Sequence, residues 1–454
     1  MNSEHESKYL VAVIGAGPAG LYAARQLAED GAHVVIFNRD IKPGGLAEYG
    51  IYPAKFKMKD GLRKQFRQIL QNPQIEYYGN ITIAEYADLR LKEIKEMGFQ
   101  AVLVAAGAQG TKWLGLPGED IPKGVYHAKD LVYHYNKLPP YSQKEFHIGK
   151  RVALVGAGNV MMDIARYLIR TLKVSEVLAV VRRGPAEVKF DKKEMEYVIA
   201  NLDQSALDAE IARVTPMMQS IGQDVEASRA FILSALPKAI EPVSQTRFLF
   251  DFLASPTRLL GDDHGQLVGL EVEETRLVPI DGDTKAKGTG VLRVIDVDTV
   301  VFCIGDKVDE SFGLPVKWNA FIKNPDPQFA MDGVSYEAFD PEAGKPIEGV
   351  FVAGWSREAS SGLVGIARKD GERGAKAVLQ YLQTQPGLDD PSKVLDAVEV
   401  RLQNLGKPII TKEDVQRLEA VEMAEAERLM LEEFKFGTNE EMLEAMGFAL
   451  HTPS

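Results

Sequence analysis

Two segments, Val11-Ala-Val-Ile-Gly15-Ala-Gly17-Pro-Ala-Gly20 and Arg151-Val-Ala-Leu-Val-Gly156-Ala-Gly158-Asn159-Val-Met161-Met-Asp163, each lead an apolar strand through glycines into a helix. Further apolar runs that close on glycine lie between and after them. These observations predict an α/β fold: two Rossmann-like three-layer domains of the dinucleotide-binding type, the second inserted into the first.

Taken in order, Tyr9 to Ile14 is a β-branched, apolar run ending at Gly15, which reads as a buried parallel strand followed by a tight turn. Pro18 to Glu29 reads as a helix with Leu21, Ala23, Ala24 and Leu27 available for packing, and Gly31 as its C′ cap. Val34 to Phe37 is the next strand and completes a right-handed βαβ unit. Ala101-Val-Leu-Val-Ala-Ala-Gly107 is a strand running into glycine. The βαβ pattern repeats as Val152 to Val155, a helix through Leu168, and Val177 to Val181. Thr299-Val-Val-Phe-Cys-Ile-Gly305-Asp306 marks, with the Ala101 run, where the chain crosses between domains, and Gly349-Val-Phe-Val-Ala-Gly354-Trp355 precedes another helix. The expected domains are 1–110 and 311–385 for the first, 111–310 for the inserted second, and 386–454 for a helical extension on the first. In that extension, Lys412 to Phe434 is rich in Glu with few apolar anchors and reads as a solvated covering helix.

Composition narrows the function classes. The 454 residues carry a formal charge of −12, which argues against nucleic-acid or anionic-membrane surfaces. The one cysteine, Cys303, excludes an intrachain disulfide framework, a C-x-x-C redox pair and a cysteine-ligated iron–sulfur cluster. The seven histidines are scattered, and no metal site is expected. The opening Met-Asn-Ser-Glu-His-Glu-Ser is unlike a targeting peptide and no apolar run spans a bilayer, so a cytoplasmic protein is expected.

Two nucleotide sites in one chain suggest a flavin and a nicotinamide held face to face. In the first turn Gly15 permits the bend, Gly17 admits a pyrophosphate, and Gly20 lets the helix pack on the strand; Pro18 and Ala19 open the helix that faces the phosphates. The acidic residue that usually closes the second strand and grips a ribose is replaced by Asn38, whose amide can still bond hydroxyls but without a full charge. The second turn has Met161 in place of the third glycine. Arg182 and Arg183 follow its second strand where an acid would suit a free 2′-hydroxyl; two guanidiniums suit a 2′-phosphate and favour NADPH. Lys55, Lys57, Lys59, Arg63, Lys64 and Arg67 form the densest basic stretch, either a steering surface for an acidic electron-transfer partner or an amphipathic solvated segment.

Gly156-Ala-Gly-Asn-Val-Met-Met-Asp163-Ile-Ala-Arg166, Arg182-Arg-Gly-Pro185 with Glu194 beyond it, and Gly354-Trp355-Ser-Arg-Glu-Ala-Ser-Ser-Gly362-Leu-Val-Gly365 resemble adrenodoxin reductase-type ferredoxin–NADP reductases, from about Tyr9 to about Gly447. The small subunit of glutamate synthase is a more distant cousin; its members carry Gly-Asp in place of Gly-Trp and N-terminal cluster cysteines, which this chain lacks. The resemblance implies FAD on the first turn, on Gly45, Leu46 and Tyr49, and against the backbone from Trp355 to Gly362 with Leu363 and Val364. It implies NADP(H) on Gly156, Gly158, Asn159 and Val160, with Arg182, Arg183 and Glu194 about the 2′-phosphate ribose and Trp355 and Gly362 at the nicotinamide end. Hydride then passes from NADPH to the flavin, and single electrons to a ferredoxin or flavodoxin-like carrier. Two departures follow. Lys55 stands where family members often have a histidine, opposite Asp163, so a domain-bridging ion pair is expected rather than a proton relay. The stretch 201–228 lacks the basic docking surface of the vertebrate-type enzyme, which leaves the Lys55–Arg67 stretch as the candidate. A flavin subunit feeding a larger complex and a non-catalytic nucleotide-binding flavoprotein are the alternatives.

Overall fold

The computed structural model describes residues 8–360 and 362–449; the acidic opening segment read above lies outside them. The chain divides into two compact units. The first comprises residues 1–111, 133–143 and 306–454, and the second residues 112–132 and 144–305. The exchange between them is therefore not a single crossing, since 133–143 returns to the first unit.

The first unit is built on a six-stranded sheet in the order Glu337–Asp340, Lys345–Val352, Ala101–Val104, Tyr9–Ile14, Ala32–Phe37, Ile75–Tyr78. All neighbours are parallel except the first pair. The strand Tyr9–Ile14 lies between Ala101–Val104 and Ala32–Phe37, so the chain reverses its order of travel at its carboxyl end, where open α/β sheets bind ligands. Its residues are apolar on both faces because helices cover both. The helix Pro18–Glu29 packs on one face with Leu21, Ala23, Ala24 and Leu27 fully buried. Gly31 follows it at φ +88°, the left-handed C′ position expected of it. The helix Val364–Leu382 packs beside it so closely that a Cβ on Gly371 would sit 2.1 Å from the carbonyl oxygen of Ala19.

The second unit repeats the plan. Five parallel strands run in the order Val125–His127, Thr299–Phe302, Arg151–Val155, Glu176–Val181, Arg247–Phe252, and the strand before the second glycine turn again sits at the switch point. A three-stranded antiparallel sheet, Ala254–Gly261, Leu267–Ile280 and Asp283–Ile295, completes this unit. The helix after the second turn is shorter than expected. Its α-helical part is Asn159–Arg166, and Tyr167–Leu172 continue as a π-helical turn that ends at Lys173, φ +55°.

The helix expected over Lys412 to Phe434 ends at Arg428 and is not merely solvated. Val415, Leu418 and Ala426 face the core, and Asp414 and Glu422 are buried with them. Thr411 and Asp414 cap its first turn reciprocally. Among the described residues no helix is long and apolar enough to cross a membrane.

Candidate nucleotide sites

The two glycine turns share one geometry. Gly15 has φ +105° and Gly156 φ +143°, and a Cβ on either would lie 2.5 Å from a carbonyl oxygen of the neighbouring strand's extension, Ala105 in one unit and Cys303 in the other. Only glycine fits at these positions. Gly17 and Gly158, both in extended conformation, cap the following helices and face open space, with no atom within 4 Å of where a Cβ would point. The turns therefore present bare backbone and the N–H groups of a first helical turn to whatever lies against them. That surface carries partial positive charge and fits a pyrophosphate.

The third positions differ. A Cβ on Gly20 would fall 1.9 Å from the carbonyl oxygen of Gly15, so the first helix lies directly on its turn. Met161, at the matching place in the second unit, is fully buried on the helix Asn159–Arg166.

Asn38 closes the strand Ala32–Phe37 and its amide points inward. It accepts the N–H of Ala16 at 3.0 Å and donates to the carbonyl oxygens of Asp40 and Lys42 at 2.8 and 3.2 Å and to the Tyr77 hydroxyl at 3.2 Å. Its bonding capacity is thus directed at its own loop, and what it does is pin the glycine turn to the strand end. Asp40, two residues on, lines a cavity of about 350 Å³ together with Arg39, Tyr49, Asn80, Tyr141 and Lys407. There its carboxylate accepts the Arg39 Nε–H at 2.9 Å.

Gly45 lies over the first turn at φ +50°, and a Cβ there would come 3.1 Å from the Cα of Gly17. Leu46 and Tyr49 are on the short helix that follows, with Tyr49 buried. Gly354, φ +62°, donates its N–H to Asp370 at 2.6 Å. Asp370 also accepts the Tyr336 hydroxyl at 2.9 Å and the guanidinium of Arg357 at 2.7 Å, so one buried carboxylate shapes the bend that carries half-buried Trp355. Asp370 and Tyr336 were missed in the sequence because they act through the backbone of Gly354. Gly362 has φ +73°, and Leu363 and Ile366 beside it are 66% and 58% exposed, an apolar rim at the start of the helix Val364–Leu382.

In the second unit the segment 189–191 closes on the turn. Lys189 donates its N–H to Ala157 at 2.8 Å, and the Asn159 side chain exchanges two 2.7 Å hydrogen bonds with Asp191. Val160 is exposed, and Glu194 sits in the four-residue helix Lys192–Met195 that follows. Arg182 and Arg183 stand at the carboxyl end of the adjacent strand but in different states. Arg182 is exposed. Arg183 leans on the hairpin tip, where it reaches Asp283 at 3.3 Å and the carbonyl oxygen of Thr284 at 3.2 Å.

The basic stretch read as a docking surface is corrected. Only Lys57 and Lys64 are exposed. Lys59 is 1% exposed and bonds Glu433 at 3.1 Å, Arg63 forks onto Glu48 at 2.5 and 2.6 Å, and Arg67 pairs with Glu419 at 3.2 Å. Lys64 pairs with Asp60 one turn away. The physical reason is that the helix Phe56–Leu70 turns these cations toward carboxylates from distant parts of the unit. Lys55 lies in the first unit and Asp163 in the second. Among the described residues no group of His, Cys, Asp and Glu is arranged to hold a metal ion.

The pyridine nucleotide-disulphide oxidoreductase family model matches residues 9–212. The NADPH:adrenodoxin oxidoreductase of Arabidopsis thaliana is 29% identical over 391 residues, 78% of this chain and 78% of that protein. The NADPH-ferredoxin reductase FprA of Mycobacterium leprae is 25% identical over 413 residues, 84% of this chain and 85% of that protein. The human NADPH:adrenodoxin oxidoreductase is 25% identical and covers 98% of this chain. The solved structure of Mycobacterium tuberculosis FprA in complex with NADPH superposes with a TM-score of 0.78 at 24% identity, covering 96% of this chain and 99% of that one. The fold is therefore the two-domain nucleotide-binding α/β fold.

Proposed function

We propose that this chain, similar along most of its length to adrenodoxin reductase-type ferredoxin–NADP reductases, is an FAD-dependent oxidoreductase that transfers electrons between NADPH and a ferredoxin-type iron–sulfur protein. It carries a hydride between NADPH and FAD and single electrons between FAD and the carrier. The observation that carries this reading is the pair of open glycine turns, Gly15–Gly17 and Gly156–Gly158, each at the switch point of its own parallel sheet. The likeness to NADPH-dependent adrenodoxin and ferredoxin oxidoreductases supports it.

FAD, when bound, supplies the exchange between two-electron and one-electron carriers. The chain's own residues bind and orient. Gly15, Gly17, Pro18, Ala19 and Gly20 face the pyrophosphate, Asn38 holds their turn in shape, and Asp40 offers a carboxylate to the adenosine end. Gly45, Leu46, Tyr49 and the backbone from Trp355 through Gly362, Leu363 and Val364 lie along the rest of the flavin. Gly158, Asn159 and Val160 receive NADP(H), Arg182 takes the 2′-phosphate with Arg183 and Glu194 at its ribose, and Trp355 and Gly362 complete the nicotinamide end. On this reading residues 1–110 and 311–385 form the FAD domain, 111–310 the NADP domain apart from 133–143, which lies in the first unit, and 386–454 the extension.

Anaerobic stopped-flow absorbance tests the whole reading. Purified protein mixed with NADPH bleaches its flavin faster than with NADH, and oxidised ferredoxin added next is reduced. A yellow protein that NADPH leaves unbleached overturns the enzymatic reading. Bleaching without ferredoxin reduction moves the assignment to another acceptor or a larger complex.

A further inference from the structure

The loop that lies on the first glycine turn is held from the far end of the chain. Gly44 donates its N–H to Ala16 at 2.7 Å, and Gly45 rests on Gly17 as described. Behind these glycines, Lys42 and Glu48 are buried in a cluster of charges. Glu48 accepts the fork of Arg63 and also pairs with Lys435 at 2.8 Å. Lys42 lies 3.4 Å from Glu48 and bonds Glu422. Glu433 takes Arg63 at 2.5 Å and Lys59 at 3.1 Å. Lys435 donates to the backbone oxygen of Glu48 at 2.9 Å, and its ammonium sits 4.8 Å from the centre of the Tyr49 ring. Glu422, Glu433 and Lys435 all come from the C-terminal segment, some 380 residues along the chain from their partners.

Buried ion pairs are a poor source of stability, because desolvation offsets most of the attraction and apolar groups of the same shape do as well. In some folds such pairs instead fix a register, since each charge must meet its partner. Here the register links the C-terminal segment to Lys42, Glu48 and Tyr49, these to Gly44 and Gly45, and these to Ala16 and Gly17. We propose that the segment Glu422–Lys435 is a latch on the first nucleotide site, and that Lys435 is a positioning residue holding the loop Lys42–Tyr49 against the Gly15–Gly17 turn. The latch sets the affinity for the flavin dinucleotide. The proposal rests on the reading of that turn as the FAD site.

Lys435 also gives the test a handle. Burial pulls its ammonium down to about 8, against the attraction of Glu48 and Glu433 and with Lys59 and Lys42 repelling it; Tyr49 and the backbone oxygen of Asn136 complete its surroundings. Its contact with Glu48 therefore weakens as pH rises through about 8. Whole-fold stability has the opposite sign for this group: with the folded value below the unfolded one, the folded state binds fewer protons between the two, and stability rises with pH there. This group's own linkage therefore does not drive unfolding over that interval.

The experiment measures the FAD dissociation constant by flavin fluorescence from about pH 6 to about pH 9 for the wild type, Lys435→Arg and Lys435→Met, with thermal unfolding at each pH as a check that the first unit stays folded. The wild type weakens about tenfold through pH 8, the scale of one charge-assisted hydrogen bond, while Lys435→Arg, always charged, holds its low-pH affinity throughout. Lys435→Met is weak at every pH. Identical pH profiles for the wild type and Lys435→Arg overturn the proposal, as does wild-type affinity in Lys435→Met. If Lys435→Met does not fold, the arginine comparison decides alone. A wild-type protein that binds no FAD at all overturns instead the reading of the site.

Discussion

The two glycine turns are nearly superimposable in chemistry and diverge at what lies just beyond them. Gly15 and Gly156 meet a carbonyl at the same 2.5 Å, and Gly17 and Gly158 are equally open. At the end of the next strand, however, the first unit places a buried amide, Asn38, whose bonds all run back into its own loop, and the second places Arg182, exposed. The turn recognises what all dinucleotides share, and the strand end recognises how they differ. A self-satisfied strand end asks nothing of a ribose; an exposed guanidinium asks for an anion.

The strongest way to break the comparison is to fill the two open positions. At Gly17→Val and Gly158→Val the backbone is already extended and the Cβ meets no protein atom within 4 Å, so both variants are expected to fold, yet each side chain stands where a pyrophosphate would approach. Gly17→Val weakens FAD about a hundredfold and leaves NADP+ binding intact, and Gly158→Val does the reverse, as read by calorimetric titration of each ligand. Equal loss of both ligands in either variant would mean that the turns do not serve separate nucleotides.

A narrower test concerns the arginines. Arg182→Ala weakens NADPH by about ten- to a hundredfold and NADH hardly at all. Arg183→Ala has a smaller effect, because its guanidinium is shared with Asp283 and Thr284. Dissociation constants for both coenzymes decide it, and equal loss for NADPH and NADH in Arg182→Ala sinks the 2′-phosphate assignment.

Asn38→Asp sharpens the other side of the comparison. The new carboxylate cannot donate to the oxygens of Asp40 and Lys42 and repels them, which destabilises the first unit by about 1–2 kcal/mol in thermal or denaturant unfolding. If the variant instead binds FAD more tightly at unchanged stability, the strand end grips the ribose after all.

The mildest difference is in acid. Each unit holds a histidine with a lowered pKa, half-buried His33 in the first and buried His127 in the second. In the first, burial of His33 is opposed by the carboxylate of Glu76; in the second, burial pushes His127 down to about 4 and Lys129 adds to it. Both groups are neutral when folded, and their stabilising neutrality is lost as pH falls from about 6.5 toward the folded values. His127→Gln therefore flattens part of the fall in melting temperature between neutral pH and about pH 4.5, and an unchanged slope refutes this account of His127.

What the sequence made legible was local. Tyr9–Ile14, the helix from Pro18 to Glu29 and the cap at Gly31 lie where the pattern puts them, because strand, turn and cap are set by residues within a few positions of one another. The direction of the Asn38 amide was not legible, since it depends on Tyr77 and on loop carbonyls that only the folded chain brings near. Nor was the fate of the basic stretch or of the acidic C-terminal segment. Each looked solvated alone, and each is in part buried because the other supplies its counter-charges. The same holds for Arg183, which reads as a free cation until the hairpin tip at Asp283 reaches it.

Cys303 does structural duty through its backbone, as the carbonyl against which Gly156 turns, and its side chain is sealed. Burial raises its thiol far above the ordinary range, so no thiolate forms at neutral pH. Electrons that stray from a reduced flavin to oxygen yield peroxide, and peroxide attacks thiolates first. With its one sulfhydryl buried and protonated, the chain offers that by-product no cysteine to oxidise, and a cysteine introduced at any exposed site would be the sole handle for a thiol-reactive label.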